Sequence, residues 1–154
     1  MTMLWPKGVD PQHVPGTGRG LTPADYSAMV AGITSSDRWL ARQARALWDA
    51  KYINDPRARA ELAAMLDLWN AQRCLMRHRE IEISGRTHAD LAELAVARYC
   101  TDDELTNDAA KAALRIGYDR WRRIRPIFDE LVNRLAEAES LLVDHLRRQL
   151  RAPS

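Results

Sequence analysis

Residues 109–125 read AAKAALRIGYDRWRRIR, and the rest of the chain takes its meaning from them. Lys111, Arg115, Arg120, Arg122, Arg123 and Arg125 stand against the single acid Asp119, six positive charges to one negative or +5, in a chain whose formal net charge is +2. The basic charge is therefore local. An alanine-rich segment of high helix propensity runs to a break at Arg115-Ile116-Gly117, and a second segment then carries aromatics and arginines. A helix, a short turn and a basic helix are the parts of a helix-turn-helix, whose second helix lies in the major groove with its first turns toward base edges. On that geometry Leu114 and Ile116 flank the turn, and Trp121 and Ile124 face inward. Tyr118, Asp119, Arg122 and Arg123 are left for DNA, with Arg120 and Arg125 toward the flanks and Lys111 near phosphate.

The candidate DNA-binding set is thus Lys111, Tyr118, Arg120, Arg122, Arg123 and Arg125. Arginine suits both tasks, because its planar fork spans guanine O6 and N7 or grips a phosphate. Two features depart from the common pattern. Arg115 holds the turn position usually given to glycine, with Gly117 two residues later, and Pro126 is expected to kink the reading helix or end it before a separate C-terminal helix. The competing reading is an arginine-rich surface helix with no nucleic-acid role.

Downstream, Phe128, Leu131, Leu135, Ala138 and Leu142 alternate in steps of three and four, continued more loosely by Leu146 and Leu150. This seam either packs along its own domain or pairs with a second copy, making a homodimer that spaces two readers. Upstream, Thr101-Asp102-Asp103-Glu104 is an acidic helix start, so the reading unit is expected over 102–125. Before it, Ser84-Gly85 is a break and Thr87 opens a helix through Leu91, Leu94, Ala95 and Tyr99. Pro56 opens a long helix over about 57–81, with Leu62, Met65, Leu66, Trp69 and Met76 on its apolar face. Ser35 or Ser36 is the expected cap of a helix with Asp37 in its first turn and Leu40, Ala44, Leu47, Trp48 and Lys51 as its buried stripe. Thr22-Pro23-Ala24-Asp25 opens the first helix, which should end near Gly32.

Residues 1–21 hold Pro6, Pro11 and Pro15 with Gly8, Gly16, Gly18 and Gly20, which predicts an extended arm. Its GTGRG segment lacks the Lys-Ser/Thr ending and the preceding strand of a phosphate loop. Leu4, Trp5, Lys7 and Arg19 are candidates for docking on a partner, against the alternative that Trp5 folds back on its own core.

With 154 residues the chain fits one domain able to bury about two-thirds of its unfolded surface without metal or disulfide. Apolar residues make up 46% and charged residues 29%, with many Ala, Leu and Arg, which favours helix. The expected fold is all-α: a single helical domain over 22–154 with a helix-turn-helix-like unit, a long C-terminal amphipathic helix and the extended arm. No apolar run reaches the roughly 18 residues of a membrane span, and MTMLWPKGVD lacks the regions of a signal peptide, so a cytoplasmic location is expected.

Cys74 and His78 are four apart on one expected helix, with His88 and Cys100 following. Cys2His2 is a legitimate zinc set, but isolated Cys and His on helical faces are more often packing residues, so no metal and no cofactor is expected. No Ser-His-Asp arrangement, nucleophile elbow or His-Glu-x-x-His helix is present, and Asp90 and Glu93 read as solvated charges, so no enzyme is expected. Trp39, Trp48, Trp69 and Trp121 read as core anchors.

Residues 109–150, AAKAALRIGYDRWRRIRPIFDELVNRLAEAESLLVDHLRRQL, resemble the C-terminal part of small phage-encoded helix-turn-helix transcription regulators. Among these are late-gene antiterminators, which bind a DNA element near a promoter and then load onto RNA polymerase. The resemblance implies contact with double-stranded DNA through Tyr118, Arg122 and Arg123, and a polymerase-binding surface elsewhere, for which the arm is the candidate. The leading expectation is a DNA-binding transcription regulator. The alternative is a small helical inhibitor or adaptor that grips a host protein with the arm and the C-terminal helix.

Overall fold

The computed structural model of the chain describes residues 21–77, 85–101 and 105–151. Helix α1 (Pro23–Ala31) opens on a capping box. Thr22 Oγ1 accepts from the Asp25 N–H at 3.2 Å, and Asp25 Oδ2 accepts from the Thr22 N–H at 2.7 Å. Gly32 ends α1, as the sequence predicts. Helix α2 (Arg38–Leu47) is capped by Asp37, not by Ser35 or Ser36: Asp37 Oδ1 accepts from the Leu40 N–H at 3.0 Å. A carboxylate gains from the helix dipole as well as from the hydrogen bond, whereas Ser35 supports the cap by accepting from the Asp37 N–H at 3.2 Å.

The end of α2 widens into a π-helical turn (Trp48–Tyr52), in which the Ile53 N–H reaches back to the Trp48 carbonyl at 3.1 Å. Asn54 then takes a left-handed conformation (φ 62°), and the chain turns into α3 (Pro56–Arg77). Helix α4 (Gly85–Thr101) begins two residues before the expected Thr87. Thr101 does not start a helix; it ends α4, its hydroxyl donating to the Ala97 carbonyl at 2.8 Å. The cap of α5 (Asn107–Leu114) is instead Thr106, whose Oγ1 accepts from the Ala109 N–H at 3.1 Å.

Helix α6 (Tyr118–Arg151) is one helix of 34 residues, or about 51 Å. Pro126 lies inside it, so the expected end of the reading helix at that residue does not occur. An interior proline costs about 3 kcal/mol. Here Trp121 and Ile124 on one side and Ile127, Phe128 and Leu131 on the other are all buried, so packing on both sides of Pro126 offsets that cost.

α6 is the spine of an all-α domain. Its seam, from Phe128 through Leu131, Leu135, Ala138 and Leu142 to Leu146, is buried against α1, α2 and α4, while α3 closes over α2 and α4. The surface considered for pairing with a second copy is therefore covered by the chain's own helices. Intramolecular burial wins because it does not incur the translational and rotational entropy cost of association. Among the described residues no helix is long and apolar enough to cross a membrane.

Candidate nucleic-acid interface

The basic stretch forms a helix, a three-residue turn and the start of a second helix, with α5 packed on both α4 and α6. α5 buries Ala110 and Leu114, and the small side chain of Ala110 allows close approach of the helices. At its end Arg115 is left-handed (φ 54°, ψ 47°), which brings the N–H groups of Arg115 and Ile116 back to the Lys111 carbonyl. A non-glycine residue there costs about 1–2 kcal/mol. Gly117 serves another purpose. Its carbonyl accepts the first bond of α6 from the Trp121 N–H at 3.0 Å, and a Cβ added to it would meet nothing within 4 Å.

Trp121 is 3% exposed and Ile124 1%, facing inward as the sequence predicts. The Trp121 ring meets Phe128 edge-on at 5.7 Å between centroids. Its Nε1–H donates to Asn107 Oδ1 at 2.9 Å, and the same oxygen accepts from an Arg125 guanidinium N–H at 3.0 Å. Asn107 therefore fixes the start of α5 to the first turns of α6. Sequence reasoning passed over it, because an Asn at a helix start reads only as a local cap.

The six candidate DNA-binding residues separate by what already holds them. Tyr118 is 53% exposed, with the Lys111 ammonium 5.5 Å from its ring centroid. Lys111 also pairs with Asp108 at 3.4 Å. Arg125 is committed to Asn107, and Arg120 turns toward α4, donating to Thr87 Oγ1 at 3.5 Å. Arg122 and Arg123 are exposed and make no hydrogen bond or ion pair among the described residues. Successive residues of a helix point about 100° apart, so Tyr118 shares a face with Arg122 and Arg125, while Arg123 stands on the adjacent one. Tyr118, Arg122 and Arg123, all left for DNA by the sequence pattern, therefore do not share one face.

The arginines of α2 are partly engaged: Arg42 lies over the Trp39 ring at 5.6 Å, and Arg45 donates to the Ile33 carbonyl at 2.6 Å. Of the expected tryptophan anchors, Trp48 and Trp121 are buried, whereas Trp39 and Trp69 are half-buried. Guanidinium groups of Arg73 and Arg134 lie 4.4 and 4.7 Å from the Trp69 ring centroid.

The zinc set does not assemble. His88 and Cys100 lie on the continuous α4, twelve residues or about 18 Å apart along its axis, too far for one tetrahedron. The His88 ring nitrogen Nδ1 is 3.0 Å from Asn70 Nδ2, and Cys100 is buried. Among the described residues no group of three or more His, Cys, Asp and Glu is placed to hold a metal ion. The Cys74 side chain, His78 and the arm residues Leu4, Trp5, Lys7 and Arg19 lie outside the described residues. Comparison of the chain with protein-family models, with curated proteins and with solved structures finds no match in any of the three.

Proposed function

We propose that the protein is a non-enzymatic, DNA-binding transcription regulator that presents the first turns of α6 to duplex DNA. Its most specific form is antitermination, in which the arm residues Leu4, Trp5, Lys7 and Arg19 contact RNA polymerase. One observation carries the DNA reading: Trp121 and Ile124 are buried while Tyr118, Arg122 and Arg123 remain exposed directly after a three-residue turn. Burial fixes the axis of α6, and the exposed residues then occupy positions a groove can accept. Arg122, beside Tyr118, suits a base edge; Arg123, on the adjacent face, suits a phosphate. An uncommitted guanidinium binds DNA without first breaking an internal contact, which favours these two over Arg120 and Arg125.

Gel retardation of genomic fragments at two salt concentrations tests the reading. Full-length protein should retain a subset of fragments. Replacing Arg122 and Arg123 with alanine should weaken binding, by about 1–3 kcal/mol for the lost base contact of Arg122, and reduce the salt slope by about one for the lost phosphate contact of Arg123. Equal binding of a selected duplex by the double variant at every salt concentration rules the reading out. Deleting residues 1–20 should leave DNA binding intact and abolish polymerase capture.

A further inference from the structure

An open groove of about 670 Å³ lies between α4 on one side and the end of α5, the turn after it and Arg120 of α6 on the other. Its volume is in the range of small-molecule sites. Charges of both signs line it: Asp90 and Glu93 from α4, with Arg86 from the start of that helix, Arg115 from the turn and Arg120 from α6. Among the described residues no ion pair joins any of these arginines to either acid. Leu94, Leu114 and Ile116 add apolar lining.

Arg115 is the telling residue. Its backbone is in the left-handed conformation that glycine adopts freely, and the residue is exposed and lines the groove. A residue that strains the backbone where glycine would not is explained if its guanidinium is used. A purely anionic ligand fits poorly, because Asp90 and Glu93 would repel it.

We propose that this groove binds a small zwitterionic molecule of the amino-acid or dipeptide class. Arg115 and Arg120 take its carboxylate, Asp90 and Glu93 its ammonium, and Leu94, Leu114 and Ile116 its apolar part. Charge-assisted contacts at both ends select such a molecule over a neutral one of the same size. The site stands independently of whether α6 reads DNA.

The test is isothermal titration of the full chain with the common amino acids and with dipeptides, each at up to roughly millimolar concentration. At least one should bind, and its N-acetylated and its C-amidated forms should each bind about tenfold or more weakly. Arg115→Gly keeps the left-handed turn without strain and should weaken the same ligand by about tenfold or more, as should Glu93→Gln at an exposed position. Absence of binding by every probe overturns the proposal. So does a ligand whose affinity is unchanged in Glu93→Gln, or inorganic phosphate binding as tightly as the best amino acid. If circular dichroism shows Arg115→Gly unfolded, Glu93→Gln and the blocked ligands decide the matter.

Discussion

The middle and the start of α6 treat arginine in opposite ways. Toward the middle of the helix the Arg134 side chain is 7% exposed, donating to Gln43 Oε1 at 2.7 Å and Asp37 Oδ2 at 2.8 Å, with its guanidinium 4.7 Å from the Trp69 ring centroid. One turn further on, Glu139 accepts from the buried Lys51 and from the Tyr52 hydroxyl, both at 2.9 Å, while the Lys51 ammonium lies 4.7 Å from the Tyr99 ring centroid. At the start of α6, Arg122 and Arg123 remain in solvent. The difference lies in what the neighbouring helix presents. α2 offers a carboxylate and an amide oxygen opposite Arg134, which offset its desolvation and commit it to the fold. α5 supplies the Asn107 oxygen, which Arg125 shares with Trp121, while its Asp108 carboxylate pairs with Lys111 of the same helix. The demand of Arg134 is strong enough that Gln43, fully buried, gives up its oxygen while its Nε2 has no hydrogen-bond partner.

The largest effect that would break this contrast is in Arg134→Ala. Losing the guanidinium leaves the buried Gln43 oxygen without its partner and Asp37, itself 43% exposed, without its ion pair, and should cost about 2–3 kcal/mol in urea unfolding. Arg122→Ala and Arg123→Ala should each stay within about 0.5 kcal/mol in the same assay. Similar values at the two places would mean that burial does not distinguish them.

Asn107→Ala should come next, at about 1–3 kcal/mol, because it leaves the buried Trp121 Nε1–H without an acceptor. Asn107→Asp keeps an acceptor for both donors and should recover most of the loss. Thermal unfolding of the two variants sharpens the contrast by showing whether one oxygen anchors the exposed end.

A pH titration is expected to have a smaller effect. Burial pushes the Asp37 carboxyl up, but the Arg134 guanidinium and the N–H groups of Leu40 and Trp39 outweigh it, holding the group below its ordinary value of 3.8. The unfolded chain therefore binds the proton more readily than the folded one. The contribution is fully present above that ordinary value and is lost as pH falls through the lower folded value. Urea midpoints followed downward from about pH 5 should fall less steeply in Asp37→Asn than in the parent. Asp49 has the opposite sign: burial first, then Asp55 and Glu61, raise its carboxyl, so its protonation favours the folded state as pH falls. The smallest effect is in Gly117→Ser. The added side chain meets open space and supplies a cap oxygen to α6, for a gain of a few tenths of a kcal/mol in thermal unfolding.

Much of the site was legible because it rests on short-range rules. The turn at 115–117 follows from a break in an alanine-rich helix, and inward Trp121 and Ile124 follow from their three-residue spacing. Asn107 was not legible, since its partners are fourteen and eighteen residues away. The groove was not legible for the same reason: only the fold brings Asp90 and Glu93 of α4 together with Arg115 and Arg120 along one cavity.

From the sequence alone come the all-α class, the starts of α1, α3 and α6 and the face of α6 that is buried, because propensity, capping and periodicity act within a few turns. Only the tertiary structure decides that α6 continues through Pro126, that Arg115 accepts a left-handed backbone and that the seam is covered by α1, α2 and α4. In the first two cases packing across helices outweighs a local cost of about 1–3 kcal/mol. The same long-range contacts choose which arginines of residues 109–125 are occupied and which remain open to a partner.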